Sequence, residues 1–405
     1  MERFRVLIVH PRIPFHLHDG GAVVIRRTCA LIQTCTEFDV AVVAMNTTRH
    51  WVEPNDIASV YDGIPYWWAP VDNRITPIGA LWNLLSGKPY HLSRFWSDEF
   101  AQTLKRVLTD FRPNLIFIEG LPPTQYLGLI ANHSSAATVY RAHNIEHYLW
   151  ERVADAEQNF IKQRYLREQV RRLLAWERKL FVDENLDGIV AISSNDAAMC
   201  RSLGFAGHVC VVPFCVDLRD YSPVLDPTDP PTVFHIGSLY WEPNRQGVEW
   251  FLREIFPLVR KRFPGATFHL AGAIPEHLSL PFNDGVIVHG IVRDAKEFMR
   301  MHSVLIVPLL SGSGIRSKII EAMALGKAVV STSIGAEGLE CTNGEHLLLA
   351  DEPESFADAV VALLTNHELV RQLGKSARRL VEERYNLDRA REVLARFLIH
   401  VATSA

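Results

Sequence analysis

The chain lacks the marks of several common protein classes. Its six cysteines, at 29, 35, 200, 210, 215 and 341, form no C-x-x-C pair and no zinc-type spacing, which argues against a disulfide scaffold or a zinc ribbon and for reduced thiols. No apolar run approaches the length that spans a bilayer, and the opening "MERFRVLIVHP" is too short in its apolar part for a signal peptide. The net charge is only -4 over 405 residues, so there is no global basic field for nucleic acid and any anion site must be local. Two phosphate signatures are missing as well: there is no G-x-x-x-x-G-K-[ST], and no G-x-G-x-x-G follows the first strand. The expectation is a cytoplasmic globular protein that is neither a P-loop ATPase nor an ordinary NAD dehydrogenase.

What the chain has is alternation. Hydrophobic residues make up 48% and charged residues 22%, the balance of a folded protein, and 405 residues exceed one ordinary core. Short apolar runs at 4–10, 38–44, 114–119, 137–143 and 188–193 predict strands, with helical spacing at 24–35 and 98–111. The Pro- and Asp-rich "DYSPVLDPTDPPT" (220–232) reads as a linker. Beyond it the rhythm resumes, with strands predicted at 232–238, 266–272, 285–290, 303–309, 327–333 and 345–350, and a helix over 246–263. Near-continuous apolar strands separated by helices indicate parallel sheets covered on both faces, hence two doubly wound α/β domains in tandem.

Residues 145–182 read as one long helical stretch. Arg164, Arg167, Arg171 and Arg178 form a basic stripe opposite Leu166, Val170, Leu173 and Leu180. The plain reading is a solvated face; the sharper one is a peripheral contact of 159–181 with an anionic lipid surface at the inner membrane face.

The densest chemistry lies in "SGSGIRSKIIEAMALGKAVVSTSIGAEG" (311–338): a strand, a Gly-Ser-Gly turn, and a helix ended by Gly326. Free N–H groups and the positive dipole end of a helix start suit a phosphate, and glycines let it come close. Arg316 and Lys318 match the charge of a diphosphate, and Glu321, one turn further in, could accept hydrogen bonds from vicinal hydroxyls. The competing reading is a tight strand–helix turn with a surface salt bridge from Lys318 to Glu321.

The order "HIGSLYWEPNRQG", "FHLAGAIP", "VIVHGIVRD" and "LIVPLLSGSGIRSKIIEAMALGKAVVSTSIGAEGL" resembles the donor domain of glycosyltransferase family 4, in a bacterial subgroup form with G-S-G-I-R-x-K. "HPRIPFHLHDGG" and "YRAHNIEHYLWERVA" extend the resemblance, more weakly, to the first half. It implies the GT-B fold, two facing Rossmann-like domains with a deep interdomain cleft: an acceptor domain over 1–218 with a C-terminal crossover helix at 386–405, and a nucleotide-sugar donor domain over 219–385. It implies retention of configuration, a nucleotide-diphosphate sugar as donor, a glycan or lipid-linked acceptor in cell-surface polysaccharide synthesis, and no nucleic-acid partner. No cofactor and no metal are expected. The chain departs from the family pattern at Ser313, where many members carry a first glutamate, and at Ser238 and Gln246, where an arginine and a lysine are common. The diphosphate would then fall to Arg316 and Lys318. The alternatives are a GT-B sugar-nucleotide epimerase or hydrolase, and a non-catalytic nucleotide-sugar-binding relative.

The candidate residues follow. Arg316, Lys318, Glu119 and His143 are the catalytic candidates, Glu119 standing near where a family histidine is missing. Gly20, Gly21, Arg245, His289, Gly312, Ser313, Gly314, Ile315 and Glu321 are donor-binding candidates, and His16 and Asn144 would contact acceptor or sugar. His16, His18 and Asp19 could be imagined as metal ligands but lack a matching fourth.

Overall fold

A computed structural model describes residues 3–15, 20–157, 159–183, 185–226, 228, 230–276, 278, 280–281, 284–312 and 315–404. The chain divides into two compact units, Met1–Pro213 with Ala390–Ala405, and Phe214–Arg389.

The first unit is built on seven strands: β1 (Phe4–His10), β2 (Phe38–Thr47), β3 (Tyr66–Val71), β4 (Leu115–Glu119), β5 (Ala137–Arg141), β6 (Gly188–Ala191) and β7 (His208–Val211). All pair in parallel, in the order β3-β2-β1-β4-β5-β6-β7. Val6 to Val9 and Leu115 to Glu119 are buried throughout, as strands covered on both faces must be. Leu7, Val9 and Ile118 share one core with Phe100, Leu104 and Phe181 from flanking helices.

The second unit repeats the plan with β8 (Val233–Ile236), β9 (Phe268–Ala271), β10 (Val286–Gly290), β11 (Val304–Val307), β12 (Ala328–Ser331) and β13 (Leu348–Leu349), in the order β10-β9-β8-β11-β12-β13. Every pairing is again parallel. In each unit the winding direction reverses beside the first strand, between β1 and β4 and between β8 and β11. Ligands of doubly wound sheets sit beyond the strand C-termini at that reversal.

Three sequence expectations change. The predicted helix over 145–182 is two helices, Glu146–Ala156 and Phe160–Phe181, because Asn159 stops the first and caps the second: its side chain accepts from the Lys162 N–H at 3.0 Å. Strands β3 and β7 were missed. "YWWAPV" contains Pro70, tolerated because β3 is an edge strand, and β7 is a short, half-buried edge at the other side. The helix predicted from 246 starts at Glu242 and runs to Arg262 through one wide turn at Phe251–Ile255. Pro257 accounts for that turn, since it cannot donate to the Arg253 carbonyl and its ring would crowd it.

A buried carboxylate organises the start of the Glu146–Ala156 helix. Glu177, on the Phe160–Phe181 helix and fully buried, accepts from the N–H groups of Glu146 (2.8 Å) and His147 (3.0 Å) and meets the His147 Nδ1 at 2.6 Å. It fills the cap that Ile145 cannot supply. Glu177→Ala strands all three donors, and should cost about 3 kcal/mol. Urea unfolding should show a lower midpoint with an unchanged slope; a loss under about 0.5 kcal/mol, the size of an ordinary surface change, would remove Glu177 from this role.

Candidate functional site

In the second unit the reversal point is filled by cations. The Ser317–Ala324 helix buries Ile319, Ile320, Ala322 and Met323, which leaves Lys318 and Glu321 on its other flank. Arg316 occupies the N-cap position. It is 5% exposed, and its guanidinium carbon lies 5.3 Å from the centre of the Trp241 ring, a cation–π distance. Gly312, at φ 107°, makes room for it: a Cβ there would meet Arg316 Nη2 at 3.0 Å.

Lys318 turns inward. Its Nζ donates to Asn244 Oδ1 at 3.0 Å and lies 3.3 Å from His235 Nε2. The His235 Nδ1 faces the Ile306 carbonyl at 3.0 Å, an acceptor only, so the ring proton sits on Nδ1 and Nε2 offers its lone pair to Lys318. His235 is fully buried, and burial, with the Lys318 charge, holds it neutral, well below its ordinary value. Gly237 is required here, because a Cβ would fall 2.6 Å from Lys318 Nζ. Burial first, then the neighbouring Arg316 charge, push the Lys318 amine down to about 7, against the pull of Glu321. The surface salt-bridge reading of Lys318 is thereby replaced by a half-buried, neutrally partnered one.

Glu321 accepts from the Tyr221 hydroxyl at 3.0 Å. Gln246 accepts from the Ser311 hydroxyl at 3.1 Å, tying the turn to the helix opposite. Arg245, a donor-binding candidate, bridges Glu242 (2.5 Å) and Glu249 (3.2 Å) on its own helix, at i−3 and i+4. Half-buried Ile315 packs beside Gly338. His289 stands on the edge strand β10 in a group with His269 and His302. Ser313, Gly314, His16, His18 and Asp19 lie outside the described residues.

In the first unit Glu119 and His143, proposed from separate motifs, are partners. Glu119 ends β4 and is fully buried; its Oε1 lies 2.6 Å from His143 Nε2. The carboxylate fixes the Nε2–H tautomer and orients the ring, whose side chain is 20% exposed. His10, at the end of β1, meets the Tyr61 hydroxyl at 3.0 Å and is driven down to about 3 by burial and by His143. Gly20 and Gly21 open the Gly20–Gln33 helix. The Asn144 side chain hydrogen-bonds Glu146, whose carboxyl burial and Glu177 together push up to about 7.

His235, Asn244, Trp241, Tyr221 and Gly237 were missed. A signal existed for His235, a histidine inside an apolar strand directly before a glycine; the others needed the fold.

A family model described as "Glycosyltransferase Family 4" matches residues 18–220, and one described as "Glycosyl transferases group 1" matches residues 230–366. An "Uncharacterized 44.6 kDa protein in cps region" of Klebsiella pneumoniae is 26% identical over 259 residues, covering 61% of this chain and 64% of that protein. A phosphatidyl-myo-inositol mannosyltransferase of Mycobacterium leprae (strain TN) is 30% identical over 181 residues, covering 43% and 47%. The matches therefore span less than two-thirds of either relative. Among solved structures, sucrose-phosphate synthase from Thermosynechococcus elongatus superposes with a TM-score of 0.72 at 17% identity, covering all of both chains. Anabaena Alr3699/HepE in complex with UDP-glucose gives 0.63 at 13%, covering 98% of this chain and 100% of that one. At these identities the likeness is one of fold, and the fold is of GT-B type with two Rossmann-like units.

The Lys318 environment has a direct readout. Its folded value lies below the unfolded one, so between about pH 7 and 10.5 the unfolded chain holds the extra proton. Stability relative to Lys318→Met should therefore rise with pH through that window. NMR of the labelled Lys318 Cε should titrate near 7; titration near 10 would mean the amine is solvated.

Proposed function

Because the chain belongs to glycosyltransferase family 4, we propose that it is a retaining glycosyltransferase. It would move a sugar from a nucleotide-diphosphate sugar to a hydroxyl of a glycan or lipid-linked acceptor in cell-surface polysaccharide synthesis. The observation that carries this reading is the pairing of Arg316 and Lys318, two adjoining cations held largely out of water at a helix start beyond β8 and β11. Two cations at a helix start, where backbone N–H groups and the dipole also favour negative charge, suit a bound diphosphate. The Klebsiella relative's place in a cps region and the mannosyltransferase relative support the substrate class, and UDP is the first base to try because Alr3699/HepE was crystallised with it.

In this reading the diphosphate lies against the N–H groups of the helix start, with Arg316 and Lys318 on its oxygens. At about 4 Å and an effective dielectric near 20 each contact is worth on the order of 4 kcal/mol before desolvation, which removes the need for a metal ion at this site. Glu321 accepts from the ribose hydroxyls. As the bond between the sugar C1 and the diphosphate oxygen breaks, charge grows on that oxygen, where preorganised cations act most strongly. The acceptor oxygen bonds C1 on the same face, and its proton passes to the leaving oxygen. Glu119 holds His143 in one orientation to contact the sugar or the acceptor.

The lipid-linked side of the proposal rests on the Pro77–Ser86 helix. Ile78, Leu81, Trp82 and Leu85, at i, i+3, i+4 and i+7, are 68–80% exposed, an apolar face turned away from the core. Arg172 fastens this helix by donating to the Asn83 and Leu84 carbonyls, both at 2.9 Å. Leu84, exposed Phe160 and Ile161, and the exposed Arg164, Arg167 and Arg171 line one groove beside it. Apolar anchors beside arginines suit an anionic bilayer surface. No helix among the described residues is long and apolar enough to cross a membrane.

Calorimetry with UDP, GDP, ADP, CMP and dTDP, without metal, tests the donor site. One diphosphate should bind, with affinity falling about tenfold per pH unit above 7 as binding takes up the Lys318 proton. Lys318→Ala should flatten that dependence and cut transfer ten- to a thousandfold, about 1.4–4 kcal/mol. His143→Ala should lower turnover while sparing diphosphate binding. Failure of every nucleotide to bind would overturn the proposal. For the lipid contact, Trp82→Ser with Leu85→Ser should abolish co-sedimentation with phosphatidylglycerol-rich vesicles; equal sedimentation would place the contact elsewhere.

A further inference from the structure

A second cluster of titratable side chains lies away from the Arg316–Lys318 pair, on the edge of the second unit's sheet. His269 on β9, His289 on β10 and His302, just before β11, have ligand nitrogens all within 4.8 Å of one another. Among the described residues this is the one grouping of His, Cys, Asp and Glu with that property. His289 is a donor-binding candidate, but the proposed transfer steps assign no role to any of the three. We infer that these three histidines form a binding site for one borderline divalent cation of the Zn²⁺ kind, with the fourth position open to water.

His302 Nδ1 lies 3.1 Å from the Thr232 hydroxyl, and His269 Nε2 lies 3.3 Å from the Thr267 hydroxyl. Each threonine oxygen can accept from the ring nitrogen that points at it, which leaves His302 Nε2 and His269 Nδ1 as lone pairs, the latter facing His289 Nε2. Histidine ligands are characteristically held in this way, by an acceptor on the far nitrogen. His289 Nε2 stands 2.9 Å from His269 Nδ1, so without a metal it donates there. Its ring is exposed and can carry the proton on Nδ1 instead, giving the third lone pair.

The spacing is close to what a metal needs. Tetrahedral Zn²⁺ with bonds of 2.0–2.1 Å sets its ligand nitrogens about 3.4 Å apart; the present ones lie within 4.8 Å of one another, and the His269 ring, 4.2 Å between centres from His302, must turn out of that contact to reach the ion. Phe298 packs edge-on against both His289 (5.1 Å between centres) and His302 (4.6 Å), walling one side with hydrocarbon. Burial, with the two neighbouring imidazoles, holds His302 down to about 3, so it is available as a neutral ligand. Lys327 works against the site. Its Nζ donates to the Arg300 carbonyl at 3.0 Å, and its charge is felt at His302. Its presence sets the expectation at micromolar rather than nanomolar affinity. A bound cation would join β9, the edge strand β10 and the turn before β11, three segments otherwise linked by strand pairing and ring contacts.

The test uses the full chain, stripped with a chelator, and needs no nucleotide, so its failure is separate from failure of the donor site. Titration with Zn²⁺ should show one ion per chain and a rise in thermal midpoint. Co²⁺ should give the strong visible absorption of tetrahedral nitrogen coordination. His289→Gln and His269→Gln should each weaken Zn²⁺ binding at least tenfold. His289 is exposed, so that variant should fold normally, whereas changes at His16 and His18 should have no effect on the ion. Absence of binding, an octahedral Co²⁺ spectrum, or unchanged affinity in both cluster variants would overturn the inference.

Discussion

Two like charges held side by side, mostly out of water, are the constraint around which the second unit is arranged. Arg316 and Lys318 repel each other and both resist burial, so the surroundings are chosen to tolerate them without cancelling them. Trp241 offers a ring face, Asn244 a carbonyl oxygen, and His235 a lone pair secured by the Ile306 carbonyl. None of these is an anion. A carboxylate in the place of Asn244 would neutralise Lys318 in the free protein and compete with any ligand. Trp241, Asn244 and His235 hold the two groups in position without neutralising them, which is preorganisation in the physical sense.

The same strand order serves opposite electrostatics in the two units. Beyond β4 the first unit ends its strand in a buried carboxylate, Glu119, and gives it an imidazole. Beyond β11 the second runs into a turn and a helix start bearing cations. The reversal of winding beside β1 and beside β8 opens a crevice at each sheet's C-terminal edge whichever residues fill it. The architecture supplies location, and the side chains at or beyond each strand's end supply sign.

Much of this was legible in the sequence because parallel strands buried on both faces read as unbroken apolar runs. "FRVLIVH" and "SVLIVPL" are such runs, and both are central strands. The edges of the first sheet carried no such signal: β3 has a proline and three aromatics, and β7 is half-buried. The pair Arg316 and Lys318 could be found because a turn, a helix start and two cations are adjacent in sequence. The Glu119–His143 contact spans 24 residues and the Lys318–Asn244 contact 74, so only the pairing of strands shows them. Arg245 shows what a motif alone leaves open: a cation beside the right motif also pairs with Glu242 and Glu249 at helical spacing, which the sequence contained too.

The wide turn at Phe251–Ile255 has a consequence for the cation pair. It adds one residue to an otherwise regular helix, and one residue is about 100° of rotation. Everything before it, including Trp241 and Asn244, is therefore phased differently from the Phe256–Arg262 segment, which packs Phe256 and Val259 into the core. Without the extra residue the core contacts would fix the helix in a phase that swings Asn244 off Lys318. The turn acts as a clutch, letting one rod satisfy the core at one end and the ammonium group at the other.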